Sequence, residues 1–310
     1  MIKKTKLAKA ITIAIAGTAL SVGTTAANAS STMYNTFTTT VNTGTDGWTR
    51  VNDIATGTGG VTPPDGIFTG PESKGNSGNL VPWVGTVGGA LPYSYTGSSH
   101  LNWAVKLGST GDSATISQAD ALTRYSTAAE IDTGGGAWND NGLTSTGTVS
   151  ATGPTGWKHQ TDIGIIQSDV AQFVTLNLST INGTFSRFGV TVFDGIDTNT
   201  GNYSHHGAWN APGATTPSLF TKSNPFGTTG LTNIGYSDNV DGVNGYSFLA
   251  EAGKQYSVYL GGVGFSRWNA GVDGYALNIT TSAVPVPGAV WLFGSALAGF
   301  VGLRRRKAAL

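Results

Sequence analysis

The 310-residue chain contains no cysteine. Disulfides, thiolate metal sites and thiol nucleophiles are thereby excluded, and the fold has to be held by its core alone. Charge is scarce, at 11% of residues, and glutamate occurs only as Glu72, Glu130 and Glu251. None of the three sits in a recognisable acid–base pair. A Gly-x-Ser-x-Gly elbow, a His-Glu-x-x-His helix and a phosphate-cradling glycine loop are also missing. The chain therefore reads as a binding or structural protein and not as an enzyme. Histidine is limited to His100, His159, His205 and His206, and Met33 is the one methionine beyond residue 1. Any site for a soft metal must be built from these few side chains.

What is abundant is glycine, with 46 residues, alongside Thr, Ser and Asn. Aromatics at 10% supply enough large apolar side chains to offset the entropy of ordering. Short β-branched and aromatic runs between Gly/Asn/Asp-rich turns predict an all-β fold, a single jelly-roll-like β-sandwich. Strands are expected at 102–107, 171–178, 185–193, 255–260 and 274–280, with a loop at 56–64. One weak helical pattern spans Ser117–Glu130, with Ala119, Leu122 and Tyr125 near a common face. The look-alikes Gly242-Val243-Asn244-Gly245-Tyr246 and Gly271-Val272-Asp273-Gly274-Tyr275 are each expected to be a turn feeding a strand, because one pair is too little for a repeat architecture.

The formal charge of zero conceals an asymmetry. Lys3, Lys4, Lys6 and Lys9 precede the apolar stretch Ala10–Val22, and Ala27-Asn28-Ala29 supplies a small-x-small cleavage site. Residues 1–29 thus read as a secretory signal peptide, addressed to the Sec translocon and signal peptidase. At the other end, Val284-Pro285-Val286-Pro287-Gly288 leads into an uncharged stretch over 288–303, closed by Arg304, Arg305, Arg306 and Lys307. As a helix that stretch would span about 24 Å, enough for a transient crossing of the inner membrane with the basic cluster inside. Pro-x-Pro, a short apolar helix and a terminal Arg/Lys cluster together resemble the PEP-CTERM sorting signal, with Val286 in place of the family's usual Glu. The resemblance implies handling by an exosortase and delivery to the cell surface or extracellular space of a Gram-negative cell. It divides the chain into 1–29, a sandwich domain over 30–283, and a sorting segment over 284–310. Without its two ends the chain keeps nine basic residues against seventeen acidic ones, a net charge of about −8. Such a balance argues against nucleic acid as a partner.

Chemistry concentrates in two segments. In Gly156-Trp157-Lys158-His159-Gln160, an extended chain would put Trp157 and His159 on one face. Further along, Asn202-Tyr203-Ser204-His205-His206-Gly207-Ala208-Trp209-Asn210 forms a Gly/Asn-rich loop after the 185–193 strand. A β-fold could bring the two together, and neutral imidazole binds copper, zinc, nickel and iron. The Trp-x-His pair with a distant His resembles the copper(I)-binding surface proteins of methane-oxidising bacteria, the MopE and CorA group. That resemblance implies copper(I) held by His159, by His206 (or His205 as its substitute) and by Trp157, the last oxidised to kynurenine. Incidental histidines on a sheet edge and in a solvated loop are the alternative. Calcium is a further candidate at 194–199 and 238–244, although turn formation by Asp and Asn accounts for both stretches equally well. Eight tryptophans also permit stacking on sugar rings. Two functions follow: acquisition or sequestration of copper(I) at the cell surface, or a structural or carbohydrate-adhering role in extracellular polysaccharide without a metal.

Overall fold

A computed structural model describes residues 30–36, 83–97, 99, 101–129, 131–143, 146–149, 154–199, 208–209, 228–264, 272–285 and 296. The strands are β1 (Ser31–Asn35), β2 (Trp83–Val84), β3 (Trp103–Leu107), β4 (Ser113–Ile116), β5 (Asp132–Gly134), β6 (Asp162–Ser168), β7 (Gln172–Thr180), β8 (Phe188–Asp194), β9 (Thr232–Val240), β10 (Tyr246–Ala250), β11 (Gln255–Gly262) and β12 (Val272–Ala283). They form two sheets, as expected of a β-sandwich. A seven-stranded sheet runs β2-β1-β3-β6-β11-β8-β9, and a second runs β10-β7-β12-β4 with β5 added on β12. All pairs are antiparallel except β3–β6.

The spine of the smaller sheet is the β7–β12 pair, in register from Tyr275↔Thr180 to Ala283↔Gln172. Both strands alternate with period two. Val174, Leu176, Leu178, Tyr275, Leu277 and Ile279 point inward and are buried, while the residues between them are half-buried or exposed. They meet Tyr34, Trp103, Val105, Val190, Val192 and Val258 from the larger sheet in one hydrophobic core. A polar chain crosses that core. The Trp103 indole N–H donates to the Tyr275 hydroxyl (3.0 Å), which donates to Asp162 Oδ2 (2.7 Å). The buried polar groups of these three side chains thus satisfy one another, and the two sheets are tied together. Gly164 makes room for it, since a Cβ there would overlap the Trp103 ring.

The opposite face of the seven-stranded sheet is buried too. Ala104, Ile163, Ile165, Phe193 and Tyr259 point away from the first core and pack with Trp83 of β2 and with Tyr95, Trp138 and Trp209 from the connections. Because β6 and β11 are covered on both sides, their residues are buried almost without interruption.

The helical pattern is real but shorter than expected: α1 is Gln118–Tyr125. The Ser117 hydroxyl caps its first turn by accepting from Asp120 N (3.0 Å), and Ser126 ends it in the left-handed region at φ 54°. Ala121 is buried, whereas Leu122 is 49% exposed. The strand expected at 185–193 begins at Phe188, because Phe185 turns back to pack edge-on against the Phe188 ring, 5.0 Å away. Of the two look-alikes, the first is a turn feeding β10, while Val272–Gly274 of the second already lies within β12. The 56–64 loop, the signal segment with Ala27 and Ala29, and Pro287 with Arg304, Arg305 and Arg306 lie outside the described residues, as does 288–303 apart from Ala296. Among the described residues no helix is long and apolar enough to cross a membrane.

Candidate functional site

Trp157 and His159 do not share a strand face. Lys158–Gln160 forms a 3-10 turn, entered from Trp157 at φ −100°, ψ 120° and left through Thr161 before β6 begins. The turn closes through Gln160 N–H to Trp157 O (3.2 Å) and Thr161 N–H to Lys158 O (3.3 Å). His159 is its middle residue. Trp157 itself remains extended and half-buried.

The two segments singled out in the sequence do meet. Trp157 forms an antiparallel bridge with Ala208. Beside it, the Trp209 backbone N–H donates to Gly156 O at 3.1 Å. His205 and His206 lie outside the described residues, as does His100. His206 nevertheless stands two residues before the bridged Ala208, and His159 stands two residues after the bridged Trp157.

The bridge rests on the aromatic layer that covers the seven-stranded sheet. Trp209 is buried, and its indole N–H donates to Ala137 O at 3.0 Å. Its ring lies 5.9 Å from Tyr259 and 6.4 Å from Trp138. Trp138 in turn donates from its indole to Thr191 Oγ1 (2.8 Å) and from its backbone to Gly262 O (3.2 Å). The approach is this close because glycines leave space. A Cβ at Gly189 would strike the Trp138 ring, and one at Gly156 would strike Trp209 and the carbonyls of Ala137 and Trp138. The loop at 137–142 and the segment at 154–157 are stitched by Asp140, whose Oδ1 accepts from Gly142 N (2.8 Å) and Thr155 N (3.0 Å). The Thr161 hydroxyl sits at 3.0 Å from both Ala137 O and Trp157 O, fixing the far side of the turn. Tyr259, fully buried beneath Trp209, has its phenol pKa raised above the ordinary tyrosine range, chiefly by burial, and stays protonated.

Composition and strand pattern point to Trp157, His159 and Trp209, but not to the residues that hold them. Trp138, Gly156 and Gly189 are invisible to periodicity. The one available signal is an unusual pairing of glycine and tryptophan in segments far apart in sequence.

The two Asp-rich stretches are occupied by turns. Asp197 accepts from the backbone N–H groups of Ser99 (2.9 Å), Asn199 (2.9 Å) and Thr229 (3.1 Å). Asp241 accepts from Val243 N (2.7 Å) and Asn244 N (2.6 Å), while Asp194 pairs with Lys254 at 3.0 Å. Backbone and side-chain donors from Asn244 and Val243 hold the Asp241 carboxyl below its ordinary pKa. Among the described residues no group of three or more His, Asp or Glu side chains is arranged to hold a metal ion.

Residues 283–307 match the PEP-CTERM protein-sorting motif, which implies processing by exosortase and points to an exported, surface-bound protein. Val284 and Pro285 of that match follow directly on β12. No curated protein sequence matches the chain. Solved structures similar to it include CorA of Methylomicrobium album BG8, a surface-associated copper-binding protein important in copper acquisition, at 14% identity over 58% of this chain and 100% of that one, with a TM-score of 0.28. MopE, a copper-binding secreted protein of Methylococcus capsulatus with an oxidised tryptophan, is 11% identical over 63% and 91%, with a TM-score of 0.26. The periplasmic g-type lysozyme inhibitor PliG of Aeromonas hydrophila is 11% identical over 58% and 97%, with a TM-score of 0.25. Scores this low carry neither fold nor function from those proteins to this one.

Proposed function

We propose that this protein is exported, sorted to the cell surface and binds one copper(I) ion between the Trp157-x-His159 turn and the segment leading into Ala208. The observation that carries the reading is the Trp157–Ala208 bridge, reinforced by the Trp209-to-Gly156 hydrogen bond of 3.1 Å. Two residues of chain reach about 7 Å at most, so His159 and His206 are both tethered close to the same bridged pair. Two neutral imidazoles approaching from opposite segments suit copper(I), and no thiolate competes for it. His206 is the preferred second ligand and His205 its substitute. Trp157 contributes its π face, or an aromatic amine once oxidised to kynurenine, as the resemblance to the copper(I)-binding surface proteins implies.

Residues 1–29 serve as the signal peptide, cleaved after Ala29, and exosortase acts at the Val284-Pro285-Val286-Pro287 end once the sandwich has crossed the inner membrane. Copper is cargo in this account, taken up or sequestered outside the cell, with no turnover. A carboxylate site for calcium is not part of it, because Asp197 and Asp241 are engaged by backbone N–H groups.

The test is a copper(I) competition titration of the purified full-length protein against a chromophoric chelator, beside His159→Ala/His206→Ala and His205→Ala. One tightly held equivalent, lost in the double variant and kept in His205→Ala, is expected. Equal, weak binding by all three proteins would overturn the proposal.

A further inference from the structure

The outer face of the smaller sheet is uncharged and built largely of Thr, Ser and Asn. Since Val174, Leu176, Leu277, Ile279, Phe248, Ala114 and Ile116 turn inward, the alternate residues of β4, β12, β7 and β10 turn out. The pairing aligns them into rows across all four strands. Ser113, Thr280, Thr175 and Ser247 are successive register partners, and Thr115, Asn278 and Asn177 form the next row. All are exposed or half-buried. Neighbours within a row are about 4.8 Å apart and rows about 6.8 Å apart, so hydroxyl and amide groups repeat on a regular grid.

No outward residue of these four strands is charged, although the chain between its two ends carries a net charge of about −8. Solvent faces of strands ordinarily gain solubility from Lys and Glu, and their exclusion here leaves a neutral hydrogen-bonding surface. Lateral bonds hold parts of the grid in place: Thr115 Oγ1 donates to Asn278 Oδ1 at 2.9 Å, and Thr175 and Ser247 share a hydrogen bond at 2.8 Å. The Asn278 amide N–H groups and the Thr280 hydroxyl have no partner among the described residues. At one end of the grid Phe173, opposite both Ser282 and Leu249, adds an aromatic side chain. Gly245 flattens the far corner, where a Cβ would press on Thr175 and Asn177.

We infer that this face docks a neutral polysaccharide. A neutral glycan presents hydroxyls on one side and C–H faces on the other, which is what regularly spaced Thr, Ser and Asn groups with a bordering aromatic ring can satisfy. An anionic polymer would need Lys or Arg on the face, and nucleic acid likewise. A second copy packed sheet to sheet would need an apolar face. The site shares no residue with the copper reading and does not rest on it.

The experiment measures retention of the full-length protein on insoluble cellulose and retardation by a soluble neutral β-glucan. Alginate at the same ionic strength is the anionic comparison. Thr175→Glu/Thr280→Glu and Asn278→Ala are run in parallel, with thermal melting to verify folding. The inference expects binding to a neutral glycan, weakened at least tenfold by the charged pair and severalfold by Asn278→Ala at unchanged melting temperature. The inference is overturned by no binding to either neutral glycan, by binding that both variants leave intact, or by tighter binding to alginate. Self-association in sedimentation that the charged pair abolishes also overturns it, assigning the face to a second copy.

Discussion

The central strands of the seven-stranded sheet, β3, β6, β11 and β8, are buried on both faces, and the two coverings are made in different ways. On the inner face the partners are strands. Val105, Val190, Val192 and Val258 meet Val174, Leu176, Leu277 and Ile279, each supplied at period two. On the outer face the partners are mostly connections, which drop Tyr95, Trp138 and Trp209, beside Trp83 of β2, onto Ile163, Ile165, Phe193 and Tyr259. The first arrangement is supplied at alternate strand positions, mostly by β-branched and aliphatic residues, with rings such as Trp103 and Tyr275 among them. The second needs a few large rings, glycines that clear the ground beneath them, and hydrogen bonds that anchor irregular backbone. A strand-built core sets the sandwich, whereas a ring-built layer fixes loops, and loops are where binding residues are carried. The bridge between Trp157 and Ala208 lies on the second layer.

This contrast is breakable. Trp103→Ala and Trp138→Ala each remove a fully buried indole and are expected to lower stability by about 3–5 kcal/mol in denaturant unfolding. Only Trp138→Ala should also weaken copper(I) binding at temperatures where both variants remain folded. Equal losses of copper affinity in the two would erase the distinction between the cores. Tyr275→Phe deletes the hydroxyl between Trp103 and Asp162 and with it one hydrogen bond to each of them, at an expected cost of about 1–3 kcal/mol with copper binding intact.

Gly156→Ala sharpens the contrast from the other side. Its Cβ would push Trp209 off the Ala137 carbonyl, with a cost of about 1–3 kcal/mol and a disproportionate loss of metal affinity. The alkaline limb of stability is shared between the two layers, with Tyr275 in the inner core and Tyr259 in the outer one. Burial and the neighbouring Asp162 hold the Tyr275 phenol well above its ordinary pKa. The stabilisation it contributes is complete below about pH 10, where tyrosine of the unfolded chain ionises, and is lost as pH rises further. Tyr275→Phe should flatten that limb in part, leaving the share of Tyr259. The smallest effect is at the exposed Asp241 turn, whose carboxyl is held below its ordinary value. Its contribution is present above about pH 3.9 and fades as pH falls through the lower folded value, measurable as a local chemical-shift titration that Asp241→Asn removes.

The inner core could be read from sequence because its signal is local. In 171–178 the alternation of Val174, Leu176 and Leu178 with polar neighbours is visible without knowing what they face. The same reasoning misplaced the entry to β6, treating Trp157 and His159 as strand residues when Thr161 and the Ala137 carbonyl draw the chain into a 3-10 turn. Long-range hydrogen bonds of that kind leave no periodic trace. The meeting of the Trp157 and Ala208 segments was foreseeable only as a coincidence of rare residues, since three of four histidines fall in those two stretches. Trp138, which supports both, comes from a Gly-rich run that reads as a loop, and nothing nearby in sequence marks it as the centre of a core.

The central claim is that His159 and His206 share one copper ion, and X-ray absorption at the copper K-edge of the copper(I)-loaded full-length protein tests it most directly. The account predicts a low-coordinate copper(I) site with imidazole scattering from two histidines, halved in His159→Ala. A first shell of oxygen only, or an imidazole signal that the substitution leaves unchanged, would contradict it.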